Sequence, residues 1–254
     1  MAQLNRDGTS IYFEVHGDHG PVLLLSHGYS ATSQMWQGQL DALRGYRTIV
    51  WDMRGHGRSD SPSDPALYSE QHTVGDMAAL LDAVGVQRAI IAGLSLGGYM
   101  SLAFQAAQPA RTAALMLFDT GPGFRNDAAR EEWNRTASSR ADALLRDGLA
   151  ALGRGAEVRL SSHRSAEGLA HAARGMLAQQ NPTVINSLAS IKVPTLVLVG
   201  ANDRPFIAGS EYMVRKIPGA TQAVIADAGH AANIDQPQAF NDSVLAFLAT
   251  LPGS

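Results

Sequence analysis

The chain has 254 residues, of which 45% are hydrophobic and 17% charged, which excludes a disordered chain and allows a sizeable buried core. The formal net charge is −3, and no long basic run is present, which excludes the electrostatic footprint of a nucleic-acid-binding protein. Cysteine is absent, so disulfides and thiol chemistry are excluded as well. We expect one globular core with an appendage.

The beginning of the chain carries no targeting signal that we can identify. Residues 1–7 are polar and lack the basic and apolar regions of a secretory signal. The longest apolar runs, such as residues 22–25, are far too short to span a bilayer. We therefore expect a cytoplasmic protein with no membrane or nucleic-acid partner, and the sequence leaves its oligomeric state open.

Short β-rich runs alternate with helical stretches along most of the chain. Several of these runs are continuously apolar, as expected for strands that helices cover on both faces. Such an alternation indicates βα units around a mostly parallel sheet, and hence an α/β fold. The predicted strands are residues 10–15, 22–26, 48–52, 89–92, 114–119, 195–199 and 223–226.

Helices are predicted between these strands from the spacing of apolar residues. Residues 73–84 carry Val74, Met77, Leu80 and Leu81, and this 3.6-residue pattern is typical of an amphipathic helix that packs on a sheet. Similar stripes follow Ser33, Ser95 and Pro237, and a proline is well placed at a helix start.

The alternation stops in residues 121–191, which contain no strand-like run. Their composition favours helices, interrupted by glycines and by Pro182. We interpret this segment as a helical cap inserted into an α/β core formed by residues 1–120 and 192–254. The helices predicted within the cap are residues 128–138, 141–152, 166–179 and 183–188.

A candidate nucleophile stands in the sequence Gly-Leu-Ser-Leu-Gly at residues 93–97, directly after a predicted strand and directly before a predicted helix. This is the context that a G-x-S-x-G nucleophile elbow requires. The tight turn exposes the hydroxyl of Ser95, and the N–H of Leu96 at the helix start is predicted to donate to an oxyanion.

A serine hydroxyl needs a neutral imidazole to accept its proton, and that imidazole needs a carboxylate to orient it. His230 follows the last predicted strand and is our candidate base. Asp203, which follows the preceding strand, is the favoured carboxylate, and the order Ser95, Asp203, His230 matches the chain order of triads on this kind of elbow. Asp119, at the end of another core strand, is the competing candidate.

Two further loops follow strands. His27, Gly28 and Tyr29 come after the strand at residues 22–26, where a second amide donor to the oxyanion is expected, and we assign that donor to Tyr29 N–H. Residues 54–60 contain two glycines after a strand, but the third glycine of a dinucleotide-binding loop is absent. We interpret this second loop as structural.

Together these segments resemble the α/β-hydrolase superfamily. The resemblance rests on Ser26-His27-Gly28 with Trp36, on Asp52 to Ser59, and on the glycine-rich elbow, Gly200 to Asp203 and Gly229-His230. It covers about residues 11–248, and it implies an eight-stranded sheet. The chain is most similar to the small capped branch of esterases, enol-lactonases, homoserine-lactone hydrolases and meta-cleavage-product hydrolases.

The resemblance implies a serine hydrolase that cleaves a small carboxylic ester or lactone through an acyl-enzyme, without metal or organic cofactor. A carbon–carbon bond hydrolase of the meta-cleavage-product type is the second interpretation and a cofactor-free perhydrolase the third, while a ligand-binding homologue without activity is disfavoured by the complete triad. Relatives that open epoxides or remove halide use aspartate at the elbow. This chain has Ser95 at that position, so we do not expect those reactions. Candidate pocket residues in the cap are Phe124, Arg125, Trp133, Met176 and Leu177. Packing between the cap and the core is at least as good an interpretation of the apolar ones, and a solvated surface position is the favoured interpretation of Arg125.

Overall fold

The fold is built on one eight-stranded sheet, and the computed structural model describes residues 2–252. The strands are β1 (Ala2–Arg6), β2 (Thr9–His16), β3 (Val22–Ser26), β4 (Arg47–Trp51), β5 (Ala89–Leu94), β6 (Thr112–Phe118), β7 (Thr195–Gly200) and β8 (Thr221–Ile225). Their order across the sheet is β1-β2-β4-β3-β5-β6-β7-β8. The pairs β1–β2 and β2–β4 are antiparallel, and the other neighbours are parallel. The predicted mostly parallel sheet of an α/β-hydrolase fold is confirmed.

Strand β1 was not among the predicted strands. Its sequence, AQLNR, is too polar to display the apolar alternation of a half-buried strand, and its side chains are mostly exposed at the edge of the sheet. A turn signal was nevertheless present. Asp7 and Gly8 both adopt positive φ, at 53° and 72°, and an Asp-Gly pair of this kind is a strong hairpin signal.

Helices flank the sheet and fill the long connection between β6 and β7. No helix within residues 2–252 is both long and apolar enough to cross a membrane. Short 3₁₀ turns lie at Ser33–Trp36, Pro65–Leu67, Pro109–Arg111, Gly148–Ala151 and Leu188–Ser190, with one π turn at Ala173–Leu177. The α-helices are α1 (Gln37–Leu40), α2 (Glu70–Ala83), α3 (Leu96–Ala107), α4 (Asp127–Asp147), α5 (Ala156–Arg159), α6 (Ala166–Ala172), α7 (Thr183–Ser187), α8 (Arg204–Lys216), α9 (Ala232–Asp235) and α10 (Pro237–Leu248).

The connection between β6 and β7 is helical, although its details differ from prediction. The separate helices predicted at 128–138 and 141–152 are one helix, α4, because nothing between them breaks a helix. Helix α4 ends at Gly148, whose φ is +64°. The predicted helix 166–179 is α6 followed by the π turn, and the short helix α5 was not predicted.

The hydrophobic core consists of one layer on each face of the sheet. Neighbouring strand residues alternate between the two layers, because successive side chains of a strand point to opposite faces. On β3, for example, Leu24 belongs to the layer packed under α2 and α3, whereas Leu23 and Leu25 belong to the layer packed under α10. The core residues of the central strands are almost completely buried in both layers. The sheet is therefore a close-packed base for the loops that leave it.

The register of the parallel strands aligns their carboxyl ends. Ser26 at the end of β3 is paired with Gly93 of β5, and Gly93 is paired with Leu117 of β6. Phe118 is paired with Leu198 of β7. The loops that leave these strands therefore start from one edge of the sheet, which is the edge where open α/β sheets bind their ligands.

Candidate active site

Ser95 lies in the sharp turn between β5 and α3. Its backbone has φ of 54° and ψ of −115°, a combination that an L-residue adopts only under strain, and such strain is typical of functional positions. Hydrogen bonds fix the turn on both sides. The N–H of Ser95 donates to Phe118 O at 2.9 Å, and the hydroxyl of Thr120 donates to Ser95 O at 2.7 Å.

The glycines around Ser95 are required by close backbone approach. A Cβ on Gly93 would overlap the backbone of Gly97, and a Cβ on Gly97 would overlap the carbonyl of Ser26. A Cβ on Gly98 would collide with the side chain of Thr120. Helix α3 is thereby brought against the ends of β3 and β5, which directs its amino terminus toward Ser95.

The loop after β3 lies beside Ser95. A Cβ placed on Gly28 would be 3.4 Å from Ser95 Cβ, so the backbone that continues to Tyr29 passes next to the elbow. Within residues 2–252, neither Tyr29 N–H nor Leu96 N–H donates to a protein acceptor. Leu96 is the first residue of α3, where helix amides have no partner within the helix. Both predicted oxyanion donors are therefore unengaged groups close to the serine.

His230 and Asp203 are brought together by the loops after β8 and β7. His230 Nδ1 lies 2.8 Å from Asp203 Oδ2. The two loops are locked to each other, because Asn202 N–H donates to Ala228 O at 2.8 Å and any Cβ on Gly200 would overlap the backbone of the β8 loop. The histidine loop is fixed in turn by Gly229 N–H, which donates to an Asp235 carboxylate oxygen at 2.8 Å.

The environment of His230 sets its proton affinity. Burial disfavours the imidazolium, but the hydrogen bond and negative charge of Asp203 outweigh burial and raise the pKa of His230 above its ordinary value. Phe206 stacks on the imidazole with ring centres 4.8 Å apart and planes 24° from parallel. A histidine with its Nδ1 held by a carboxylate and its ring held by an aromatic face has a fixed orientation.

Asp119, the competing candidate for the orienting carboxylate, has a different partner. It is fully buried at the end of β6, and its Oδ1 accepts the N–H of Gly200 at 2.7 Å. Its other oxygen has no hydrogen-bond partner within the described chain. Burial raises the pKa of Asp119 to about 8, so this carboxyl is largely protonated at neutral pH, unlike the carboxylate that a triad needs. The geometry therefore favours Asp203 in that role.

A cavity of about 270 Å³ opens at Ser95. It lies between the carboxyl edge of the sheet and the helical connection from β6 to β7, and most of its lining is apolar. Among the pocket residues predicted from sequence, Phe124, Trp133 and Leu177 line it together with Ser95 and Leu96. Trp133 is held by a hydrogen bond of 2.8 Å from its indole N–H to Leu177 O.

Two of the predicted pocket residues lie elsewhere. Met176, in the π turn, is 1% exposed, packs in the hydrophobic core and is absent from the cavity lining. The Nε of Arg125 donates to Asn186 Oδ1 at 2.9 Å on the exposed surface. The hydroxyl of Tyr29 likewise points away from the serine and donates to Leu169 O at 2.9 Å, while its backbone lies beside the elbow.

Several cavity residues were not identified from sequence. Phe206 follows Asp203 by one turn at the start of α8, and this position after a predicted carboxylate was the available signal. Gln179 joins Phe124 to α4, because its amide oxygen accepts Phe124 N–H at 3.2 Å and its backbone pairs with Asn134. Tyr99 and Thr120 complete the wall behind the elbow. No periodicity marks these last residues.

Buried charged side chains hold the loop of residues 54–60 in place. Arg54 and Asp76 form a two-point ion pair at 2.7 and 2.8 Å, and both side chains are 1% exposed. Asp52 accepts the N–H groups of Ser33 and Arg58 at 2.7 and 2.9 Å. The charged groups of the loop thus have partners within the protein. This agrees with the interpretation of the loop as structural.

The strained serine elbow on a mostly parallel sheet, with a histidine and a carboxylate after the last strands, defines a protein of the α/β-hydrolase class. A family model described as "Alpha/beta hydrolase family" matches residues 22–243, and the chain belongs to this family. Hydrolysis is the class of activity that the membership supports.

Named relatives agree with the family. The chain is 29% identical over 258 residues to 3-oxoadipate enol-lactonase 1 of Acinetobacter baylyi, covering 93% of this chain and 92% of that protein. Its structure is similar to that of the enol-lactonase from Burkholderia xenovorans LB400, with 26% identity, a TM-score of 0.80 and coverage of 98% and 100%. A thermophilic esterase from Thermogutta terrifontis is similar at 27% identity, with a TM-score of 0.84 and 98% coverage of both chains.

Proposed function

We propose that the protein is a serine hydrolase that cleaves a small carboxylic ester or lactone. The observation that carries this proposal is Ser95 at a strained elbow that lines a cavity, together with a histidine whose Nδ1 is held by a carboxylate in the loops after the last two strands. Acyl transfer through a serine uses a nucleophile, a base and an orienting carboxylate, together with donors that stabilise the oxyanion.

In the proposed reaction, Ser95 Oγ attacks the carbonyl carbon while His230 Nε2 takes the hydroxyl proton. The tetrahedral intermediate then collapses, the bond to the leaving oxygen breaks, and His230 returns the proton to that oxygen. Water attacks the acyl-enzyme in the same way and regenerates the serine. Asp203 stays ionised throughout and stabilises the imidazolium that forms in each half of the cycle.

The negative charge of the intermediate is assigned to two backbone donors, Leu96 N–H and Tyr29 N–H. Their support is the position of Leu96 at the first turn of α3 and the approach of the Gly28 backbone to the serine. Donors that are fixed before the reaction stabilise a developing oxyanion without reorganisation, and losing one costs about 10² to 10³ in rate.

The substrate is proposed to be small and partly apolar. The cavity volume of about 270 Å³ lies at the lower end of ordinary ligand pockets, and Phe124, Trp133, Leu177 and Phe206 supply its apolar wall. We treat residues 121–191 as the cap over the core, since Phe124, Trp133 and Leu177 all come from that stretch. The similar proteins named as enol-lactonase and esterase support the same bond types.

A substrate panel tests the proposal. It should contain short p-nitrophenyl esters, enol-lactones, acyl homoserine lactones and a meta-cleavage product, ranked by kcat/KM. We expect the esters or lactones to rank above the carbon–carbon substrate. We also expect a fluorophosphonate to label wild-type protein at Ser95 and to leave Ser95→Ala unlabelled, as read by mass spectrometry of the peptide. Activity that survives complete labelling would refute the serine mechanism.

A further inference from the structure

A cluster of three histidines lies beside the loop that carries the proposed oxyanion donor, and two of them contact the peptide that follows it. The rings of His27 and His56 lie 4.9 Å apart, and those of His56 and His163 lie 5.8 Å apart. His27 and His56 come from the loops after β3 and β4, whereas His163 comes from the helical connection between β6 and β7. The proposed mechanism uses none of them.

The residue that this cluster surrounds is Ser30. Its φ of +58° is in the left-handed region, so the residue is strained and needs external contacts to hold it. Its N–H donates to His56 Nε2 at 3.3 Å, and its carbonyl oxygen lies 3.0 Å from His163 Nε2. The backbone N–H and C=O of Ser30, the residue directly after Tyr29, are thus both held by imidazole rings.

The hydrogen-bond partners fix the tautomer of each ring. Because Gly57 N–H donates to His163 Nδ1 at 3.1 Å, the proton of His163 is on Nε2, which donates to Ser30 O. Because Ser30 N–H donates to His56 Nε2, the proton of His56 is on Nδ1, which lies 3.1 Å from Arg54 O. Burial lowers the pKa of both rings, so both stay neutral at neutral pH and can donate and accept at once.

Other contacts tie the same loop to the helical connection. Tyr29 OH donates to Leu169 O at 2.9 Å, and its ring meets His56 edge to face at 5.6 Å. The loop that carries the proposed oxyanion donor is therefore anchored to residues of the helical connection between β6 and β7. The end of β3 is therefore not the only attachment of this loop.

We infer that His56 and His163 are positioning residues that clamp the Ser30 peptide and so hold Tyr29 N–H in place for the oxyanion. This inference rests on the proposed serine hydrolysis. It couples docking of the 121–191 stretch to completion of the oxyanion site, because one of the two clamping rings belongs to that stretch. A loose His163 leaves the nucleophile and base intact but leaves the second donor mobile.

Two substitutions at one position separate the clamp from general packing. In His163→Asn, the shorter amide can still accept Gly57 N–H but does not reach Ser30 O. In His163→Gln, the longer amide can donate to Ser30 O. His171→Gln is the matched control, because His171 lies in the same helical connection and its ring contacts Tyr68, at 5.3 Å between centres, without touching Ser30.

The test is steady-state hydrolysis of p-nitrophenyl acetate, with hydrogen exchange of the peptide covering residues 27–31. We expect His163→Asn to lower kcat about 10- to 100-fold, less than the loss of a whole donor, with KM nearly unchanged. His163→Gln should recover most of kcat. Exchange at residues 29–31 should quicken in His163→Asn alone, while melting temperatures of all three variants stay close to wild type.

Each result bears on one of the two proposals. Unchanged kcat and exchange in His163→Asn, an equal loss in His171→Gln, or no recovery in His163→Gln would overturn the clamp. Wild-type protein that neither hydrolyses any ester or lactone nor reacts with a fluorophosphonate would instead overturn the serine hydrolysis. In that case faster exchange in His163→Asn would still show that His163 fixes the loop.

Discussion

His230 Nδ1 and Asp203 Oδ2 lie 2.8 Å apart, and the aspartate side chain is only 4% exposed while the histidine is 35% exposed. The carboxylate is therefore almost completely shielded from water, whereas about a third of the imidazole remains exposed. A hydrogen bond of this kind fixes the tautomer and raises the proton affinity of the ring at once.

Replacing Asp203 should change both the rate and its pH dependence. The pKa of His230 is raised by Asp203 against the opposing effect of burial, so Asp203→Asn should lower it. Because the base must be neutral, the acidic limb of kcat/KM should move to lower pH, and kcat should fall on the order of 10⁴-fold. A pH profile with p-nitrophenyl acetate measures both. An acidic limb that stays in place would contradict the assignment of Asp203.

The strained backbone at Ser95 should lower the stability of the folded protein, although the residue is needed for activity. Both Ser95→Ala and Ser95→Gly should abolish ester hydrolysis, with unchanged circular dichroism. Only glycine relieves the φ of +54°, so Ser95→Gly should be more stable than Ser95→Ala by about 1 kcal/mol. Chemical denaturation of the two variants side by side measures the difference. Equal stabilities would mean that the elbow is not strained.

Asp119 should make the protein less stable as pH rises. Its pKa is raised to about 8 in the folded protein, whereas an unfolded aspartate titrates near 4, so between these values the folded state holds a proton that the unfolded state has lost. The contribution of Asp119 to the free energy of unfolding should therefore fall from pH 4 to pH 8. In Asp119→Asn this contribution to the slope disappears, while the amide oxygen can still accept Gly200 N–H. Parallel slopes for the two proteins in urea titrations at several pH values would rule this account out.

The buried Arg54–Asp76 pair should be costly to break. Asp76→Asn removes the buried carboxylate that pairs with Arg54 and Arg6, and it leaves the buried Arg54 guanidinium only the half-exposed Asp7 at 3.7 Å as counter-charge. It should destabilise the fold by about 3 kcal/mol. The matched control is Asp147→Asn, which breaks an exposed pair with Arg146 and should change stability by less than about 0.5 kcal/mol. Urea denaturation of both variants is the measurement. Similar effects for the two would argue against a structural role for the buried pair.

Trp133 should limit the length of the acyl chain. Its ring forms part of the cavity wall, so Trp133→Ala should raise kcat/KM for p-nitrophenyl octanoate relative to acetate, by about 10-fold or more. Leu145→Ala, an exposed change on the same helix, serves as control and should leave that ratio unchanged. A ratio that is the same in wild type and Trp133→Ala would place the acyl group elsewhere.

Local patterns were sufficient to predict the strands β2 to β8, the main helices that flank them and the fold class. Continuous apolar runs identify buried strands. The glycines around Ser95 identify a tight turn, because backbone segments approach so closely there that no side chain fits. The polar edge strand Ala2–Arg6 escaped because it buries too little to be apolar. Helix boundaries in residues 127–147 escaped because helix propensity alone does not mark where a packed helix stops.

The candidate site divides in the same way. The elbow around Ser95 can be predicted from local sequence, because strand, glycines and helix start are neighbours in the chain. The positions of Asp203 and His230 after strands predict the other two members of the site. The folded structure is needed to show that Asp203 rather than Asp119 is hydrogen-bonded to the imidazole, that Met176 packs in the core, and that His163 contacts the Ser30 peptide. Those relationships join segments far apart in sequence, and their distances depend on how the loops and helices pack on the sheet, which no local pattern encodes.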